Sequence, residues 1–120
     1  MPHLVIEYTG NLDADPTRLL AAANEALLGT GEFGETDIKS RCVRLEHYRH
    51  GVEARRSVFV HATLSILSGR TVETRKRVAQ ALAQALAACV PPCADAEVPV
   101  TVDLREMQRE TFGKAVLPPG

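Results

Sequence analysis

At 120 residues the chain is expected to form one domain with a core that needs no disulfide or metal support. Its 14 Lys and Arg nearly balance 15 Asp and Glu, which argues against a general nucleic-acid binder with its strong basic excess. No apolar run nears the ~20 residues that span a bilayer. The opening residues lack the pattern of a signal peptide, and three cysteines make an odd count, so a reduced, cytoplasmic setting is expected.

Aromatic residues are sparse at 4 %, so small and β-branched aliphatics must form the core. Met1-Pro2-His3 runs straight into a first strand over residues 3–8, with Leu4, Ile6 and Tyr8 on one side and Val5 on the other. Thr9-Gly10-Asn11 turns the chain. Asp15 followed by Pro16 marks a helix start, and Leu19, Leu20, Ala23, Leu27 and Leu28 recur at helical spacing before Gly29 and Gly31. A second strand is expected from Ile38 towards Tyr48, with a turn at Gly51. Residues 57–66, rich in β-branched side chains, predict a third. Thr71 then caps a second helix whose stripe is Val78, Leu82, Ala85, Leu86 and Cys89, ended by Pro91-Pro92. A fourth strand alternates from Val98 to Leu104, and the tail from Gln108 has little pattern.

The order is β-α-β twice, in halves of about 1–55 and 56–107 followed by the tail. Right-handed crossovers put both helices on one face of a four-stranded sheet, an α+β arrangement. The opposite face is expected to carry Val, Leu and Phe side chains, which predicts a partner to cover it.

Several residues invite a chemical reading. Once Met1 is removed, Pro2 presents a secondary amine, a nitrogen base if burial and nearby cations keep it unprotonated. Arg70 precedes the second helix, where free N–H groups, the helix dipole and a guanidinium together favour an anion. Lys39 and Arg41 share one side of the second strand, since side chains alternate with period two. Each also has a plain structural reading, as a common second residue, a solvated loop arginine and an ordinary charged strand face. His61 reads as a satisfied sheet histidine. His47 and His50 lie on opposite faces of a strand, against a zinc site. Cys89 and Cys93 read as helix-end packing. No Ser-His-Asp pattern, phosphate-cradling loop or stacking platform is visible.

The chain resembles the tautomerase superfamily, and within it most nearly the 5-carboxymethyl-2-hydroxymuconate Δ-isomerases. The resemblance is carried by residues 1–7, 37–41, 59–64, 68–75 and 102–107, in family order across nearly the whole chain. It implies a cofactor-independent, metal-free homotrimer with sheets inward and helices outward. It also implies that Pro2 shuttles a proton along a conjugated dienol while Arg70, Lys39 and Arg41 hold the carboxylates of a small unsaturated acid. Lys39 departs from the family pattern, which has arginine there, and so lacks the planar fork that grips a carboxylate twice. Two alternatives stay open: a phenylpyruvate- or oxalocrotonate-like tautomerase using the same amine, and a non-catalytic trimeric binding protein. No nucleic-acid or membrane partner is expected.

Overall fold

A computed structural model describes residues 1–120. The strands are β1 (His3–Thr9), β2 (Lys39–Leu45), β3 (Val60–Leu67) and β4 (Val100–Met107), and the helices are α1 (Pro16–Gly29) and α2 (Val72–Cys89). They form one sheet in the order β2-β1-β3-β4. β1 runs parallel to β2 and β3 parallel to β4, while β1 and β3 meet antiparallel at the centre. Each parallel pair is joined by its helix, as the doubled β-α-β order requires. No helix is long and apolar enough to cross a membrane.

The helix limits follow the capping chemistry. The Asp15 carboxylate accepts the Thr17 N–H at 3.0 Å ahead of Pro16, and Thr71 Oγ1 accepts the Thr74 N–H at 3.1 Å. Leu19, Ala23 and Leu27 of α1 and Val78, Leu82 and Leu86 of α2 are fully buried. They cover Leu4, Ile6 and Tyr8 of β1 and Val60, Ala62, Leu64 and Ile66 of β3. Burying a Leu or Ile side chain contributes about 1.5–3 kcal/mol, so this layer supplies the main drive to fold.

Strand limits shift from the sequence expectation at three strands. β4 runs Val100–Met107 in register with β3 rather than over residues 98–104. β2 stops at Leu45 rather than near Tyr48, because its partner β1 ends opposite it at Thr9. The chain turns there at Gly10, whose N–H donates to the Leu45 carbonyl at 2.9 Å. A Cβ on Gly10 would sit 2.6 Å from that same oxygen, so only glycine fits. β3 starts at Val60, not Ser57, since its antiparallel register with β1 closes at Tyr8↔Val60. Val58 is nevertheless buried, and the Phe59 N–H reaches the buried Thr9 hydroxyl at 3.3 Å.

The open face of the sheet corrects a larger expectation. Register and alternation place His3, Val5 and Glu7, then Lys39, Arg41 and Val43, away from the helices. His61, Thr63, Ser65 and Leu67 continue the surface on β3, and Thr101, Asp103, Arg105 and Met107 on β4. This face does carry Val5, Val43, Leu67 and Met107, but polar and charged side chains take most of its positions, so it is not an apolar layer. Period two sends Leu4 and Ile6 of β1 and Val60, Ala62, Leu64 and Ile66 of β3 towards the helices. Within the face, Arg105 pairs with Asp103 at 2.8 Å.

Candidate active site

The chemistry-bearing residues gather where β1 begins. Pro2 is buried, and its carbonyl accepts the Lys39 N–H at 3.1 Å, extending the β1–β2 ladder past its first pair, His3↔Lys39. With Met1 in place the Pro2 nitrogen is an amide and has no basicity; the free amine is that of Met1. Burial holds this amine below the ordinary α-amino value, assisted by the positive charges of Arg70, Lys114 and Lys39 and opposed by Asp37. One amine therefore senses groups from β2, the loop before α2, the turn before β2 and the carboxyl-terminal tail.

Lys39 folds back over that turn. Its Nζ donates to the carbonyls of Thr36 at 3.3 Å and Asp37 at 3.4 Å and lies 3.3 Å from the Met1 sulfur. Arg70 is the most constrained cation. Its Nε donates to Glu32 Oε1 at 3.0 Å and its Nη2 to the Glu32 carbonyl at 2.9 Å, and the guanidinium lies 4.9 Å over the Phe33 ring. A longer contact, 3.5 Å, joins Nη1 to the Leu67 carbonyl. Arg77 Nη2 shares the other Glu32 oxygen at 3.1 Å.

Pro2, Lys39 and Arg70 thus converge on the amino terminus. Arg41 stands one pleat further along β2, on the same face as Lys39, with Nη1 3.4 Å from His3 Nδ1. Burial keeps the His3 imidazole below its usual value, with help from Arg41, Lys39 and the amino-terminal charge. His61 meets Thr101 Oγ1 at 2.7 Å, the satisfied sheet histidine expected from its strand. Cys89 and Cys93 pack against the core beside the end of α2. No three His, Cys, Asp or Glu side chains converge as metal ligands.

Three residues of this neighbourhood escape sequence reasoning. Glu32 and Asp37 lie in connectors, and Lys114 in a tail without periodicity; only the folded chain brings them to the site. Two open clefts lie elsewhere. One of about 400 Å³ is lined by Asp13, Asp15, Arg18 and the Pro91-Pro92 corner, and another of about 370 Å³ by Gly10, Asn11 and Arg44. Both lie near the far end of β1, roughly 25 Å from Pro2 at strand rise.

Comparison with known proteins gives a consistent relationship. The family model for 5-carboxymethyl-2-hydroxymuconate isomerase matches residues 2–116. A 5-carboxymethyl-2-hydroxymuconate Delta-isomerase of Escherichia coli is 32 % identical over 84 residues, 68 % of this chain and 67 % of that protein. The crystal structure of a 5-carboxymethyl-2-hydroxymuconate isomerase from Deinococcus radiodurans R1 superposes with a TM-score of 0.79 at 30 % identity, covering 95 % of this chain and 88 % of the other. A symmetric trimer of wild-type Q0 fused 4-OT shares the fold at a TM-score of 0.75 and 22 % identity, covering 94 % of this chain and 91 % of its own.

Proposed function

The chain belongs to the 5-carboxymethyl-2-hydroxymuconate isomerase family, an isomerase on the tautomerase fold, and from that premise we propose that Pro2 is its general acid–base. The substrate is a small unsaturated carboxylate of the 5-carboxymethyl-2-hydroxymuconate type, from aromatic-compound degradation. After Met1 is removed, the Pro2 amine takes the proton of the dienol hydroxyl. The electron pairs shift along the conjugated chain as the carbonyl forms, and the resulting ammonium returns a proton to carbon at its distal end. Atoms and electrons balance without an added reactant. Arg70, Lys39 and Arg41 bind the carboxylates and polarise the developing carbonyl.

The placement of Pro2 supports this reading: it is buried at the head of β1 with its carbonyl bound to Lys39. Burial, with the charges of Arg70, Lys114 and Lys39, holds the adjoining Met1 amine below the ordinary α-amino value. A general base works best with its pKa near the operating pH, and an α-amino group is otherwise too fully protonated there. Lys39 favours a neighbouring reading. A point charge where the family has arginine suits a substrate with fewer carboxylates, as in an oxalocrotonate- or phenylpyruvate-type tautomerase.

The working unit on this reading is a cytoplasmic homotrimer. The open sheet face mixes Arg41, Arg105 and His3 with Glu7 and Asp103, so copies can meet through complementary charge. The site then lies at a subunit boundary.

Intact-mass measurement of the purified protein comes first, because a retained Met1 removes the amine and with it the proposal. With Met1 gone, turnover of 2-hydroxymuconate should fall by about 10²-fold or more in Pro2→Ala. Equal rates in the two proteins would leave a trimeric binding protein as the better description.

A further inference from the structure

We infer that Glu32 is the positioning residue of the carboxylate-binding arginine: it fills one fork of the Arg70 guanidinium and so presents the other to the substrate. The inference rests on the reading of Arg70 as a carboxylate-binding group.

The argument starts at the end of α1. Thr30 closes that helix, its hydroxyl donating to the Leu27 carbonyl at 2.6 Å, and Gly31 takes a left-handed φ of 79° that reverses the chain. The Glu32 N–H then returns to Thr30 Oγ1 at 3.4 Å. Arg77 of α2 ties down the same corner, with Nη1 on the Thr30 carbonyl at 3.1 Å and Nη2 on Glu32 Oε2 at 3.1 Å. Glu32 is therefore held from both helices before it meets Arg70.

A guanidinium carries five N–H bonds in one plane. The edge formed by Nε and Nη2 is occupied twice by Glu32, once by its carboxylate and once by its own carbonyl. Nη1 makes only a long contact, 3.5 Å, with the Leu67 carbonyl. The two terminal nitrogens therefore keep donor capacity at the end fork, where no close protein acceptor lies. That pair matches a carboxylate in two parallel bonds. The buried Phe33 ring beneath the plane fixes its tilt. Arg70 is thus immobilised with its end fork free, whereas Lys39 Nζ is held by backbone carbonyls and the Met1 sulfur without an ion pair.

This role has a signature of opposite sign to simple electrostatics. Glu32 is an anion beside an anion-binding group, so Coulomb's law alone says that removing it strengthens substrate binding. Positioning says that removing it weakens binding.

The probe is cis,cis-muconate, a dicarboxylate without the reactive hydroxyl, titrated calorimetrically into the native protein and its variants. Glu32→Ala should raise the dissociation constant about tenfold, the scale of one lost charge-assisted hydrogen bond. Glu32→Asp keeps the charge but not the reach and should bind comparably weakly. Glu32→Gln keeps an acceptor for Nε and should remain within about threefold of wild type. For 2-hydroxymuconate turnover, KM should rise in Glu32→Ala while kcat stays nearly constant. Unchanged or tighter muconate binding in Glu32→Ala and Glu32→Asp would overturn the inference. So would a wild-type protein that does not bind muconate at all. In either case Pro2-dependent turnover judges the proposed function separately.

Discussion

Replacing Arg70 by lysine is the most informative single change, because it keeps the charge and deletes the geometry. Two good hydrogen bonds leave the guanidinium for Glu32, at 3.0 and 2.9 Å, while the 3.5 Å contact to Leu67 adds little. A lysine ammonium is a single donor atom and reaches only one of the two Glu32 acceptors. Losing a charge-assisted hydrogen bond costs about 1.5–3 kcal/mol when the groups are buried. Here the side chains of Arg70 and Glu32 retain 23 % and 27 % of their exposure, so the lower end applies. Loss of the planar guanidinium stacked over Phe33 adds about 0.5 kcal/mol. The total is about 2 kcal/mol, which for a domain of this size lowers the melting temperature by roughly 6–10 °C. Differential scanning calorimetry at fixed protein concentration reads it directly, since an oligomer melts at a concentration-dependent temperature. A melting temperature within about 2 °C of wild type would refute the view that Arg70 organises this corner.

Three other expectations concern the same end of the sheet. Lys39→Arg restores a planar fork and should lower KM by about tenfold for the substrate with the extra carboxylate relative to one lacking it; steady-state kinetics on such a pair decides. For a base that must be neutral, kcat/KM rises with pH through the depressed pKa of the amine and then levels. Lys39→Ala removes one of the depressing charges, so the acid limb of the pH–rate profile should move to higher pH, and movement the other way would contradict the assignment. His3 is held below its usual value in the fold, so the unfolded chain takes up its proton first. Stability should therefore fall as pH drops from the ordinary histidine range through the lowered one, and urea titrations of His3→Gln should show a flatter dependence there.

Much of this molecule is legible in the sequence because its signals are local. Asp15-Pro16, Thr71 and Pro91-Pro92 delimit the helices through capping and steric chemistry, and alternation in residues 3–8 identifies the buried side of β1. The open face is harder. Its composition depends on which residues of four strands share a side, and that is set by register rather than by any one segment. Val5, Val43 and Leu67 do reach it, but they stand apart among charged and hydroxyl side chains that only the register brings beside them. Pro2, Lys39 and Arg70 could be placed near one another from the topology and the family pattern together. The clamp on Arg70 could not: Glu32 lies in a glycine-containing connector 38 residues earlier, and nothing in that stretch announces its partner.

The pair of contacts that brackets β1 and β2 has a consequence for anyone searching this protein by random mutation. At one end Lys39 bonds to the Pro2 carbonyl; at the other Gly10 bonds to Leu45 with no room for a side chain. A slip of one residue between these strands would turn Lys39 and Arg41 towards the helices and bring Ser40 and Cys42 out in their place. An activity screen would therefore score Gly10 among the essential positions although it stands roughly 25 Å from the amine. Its variants would be active-site mutants by misalignment, curable by no change within the site itself.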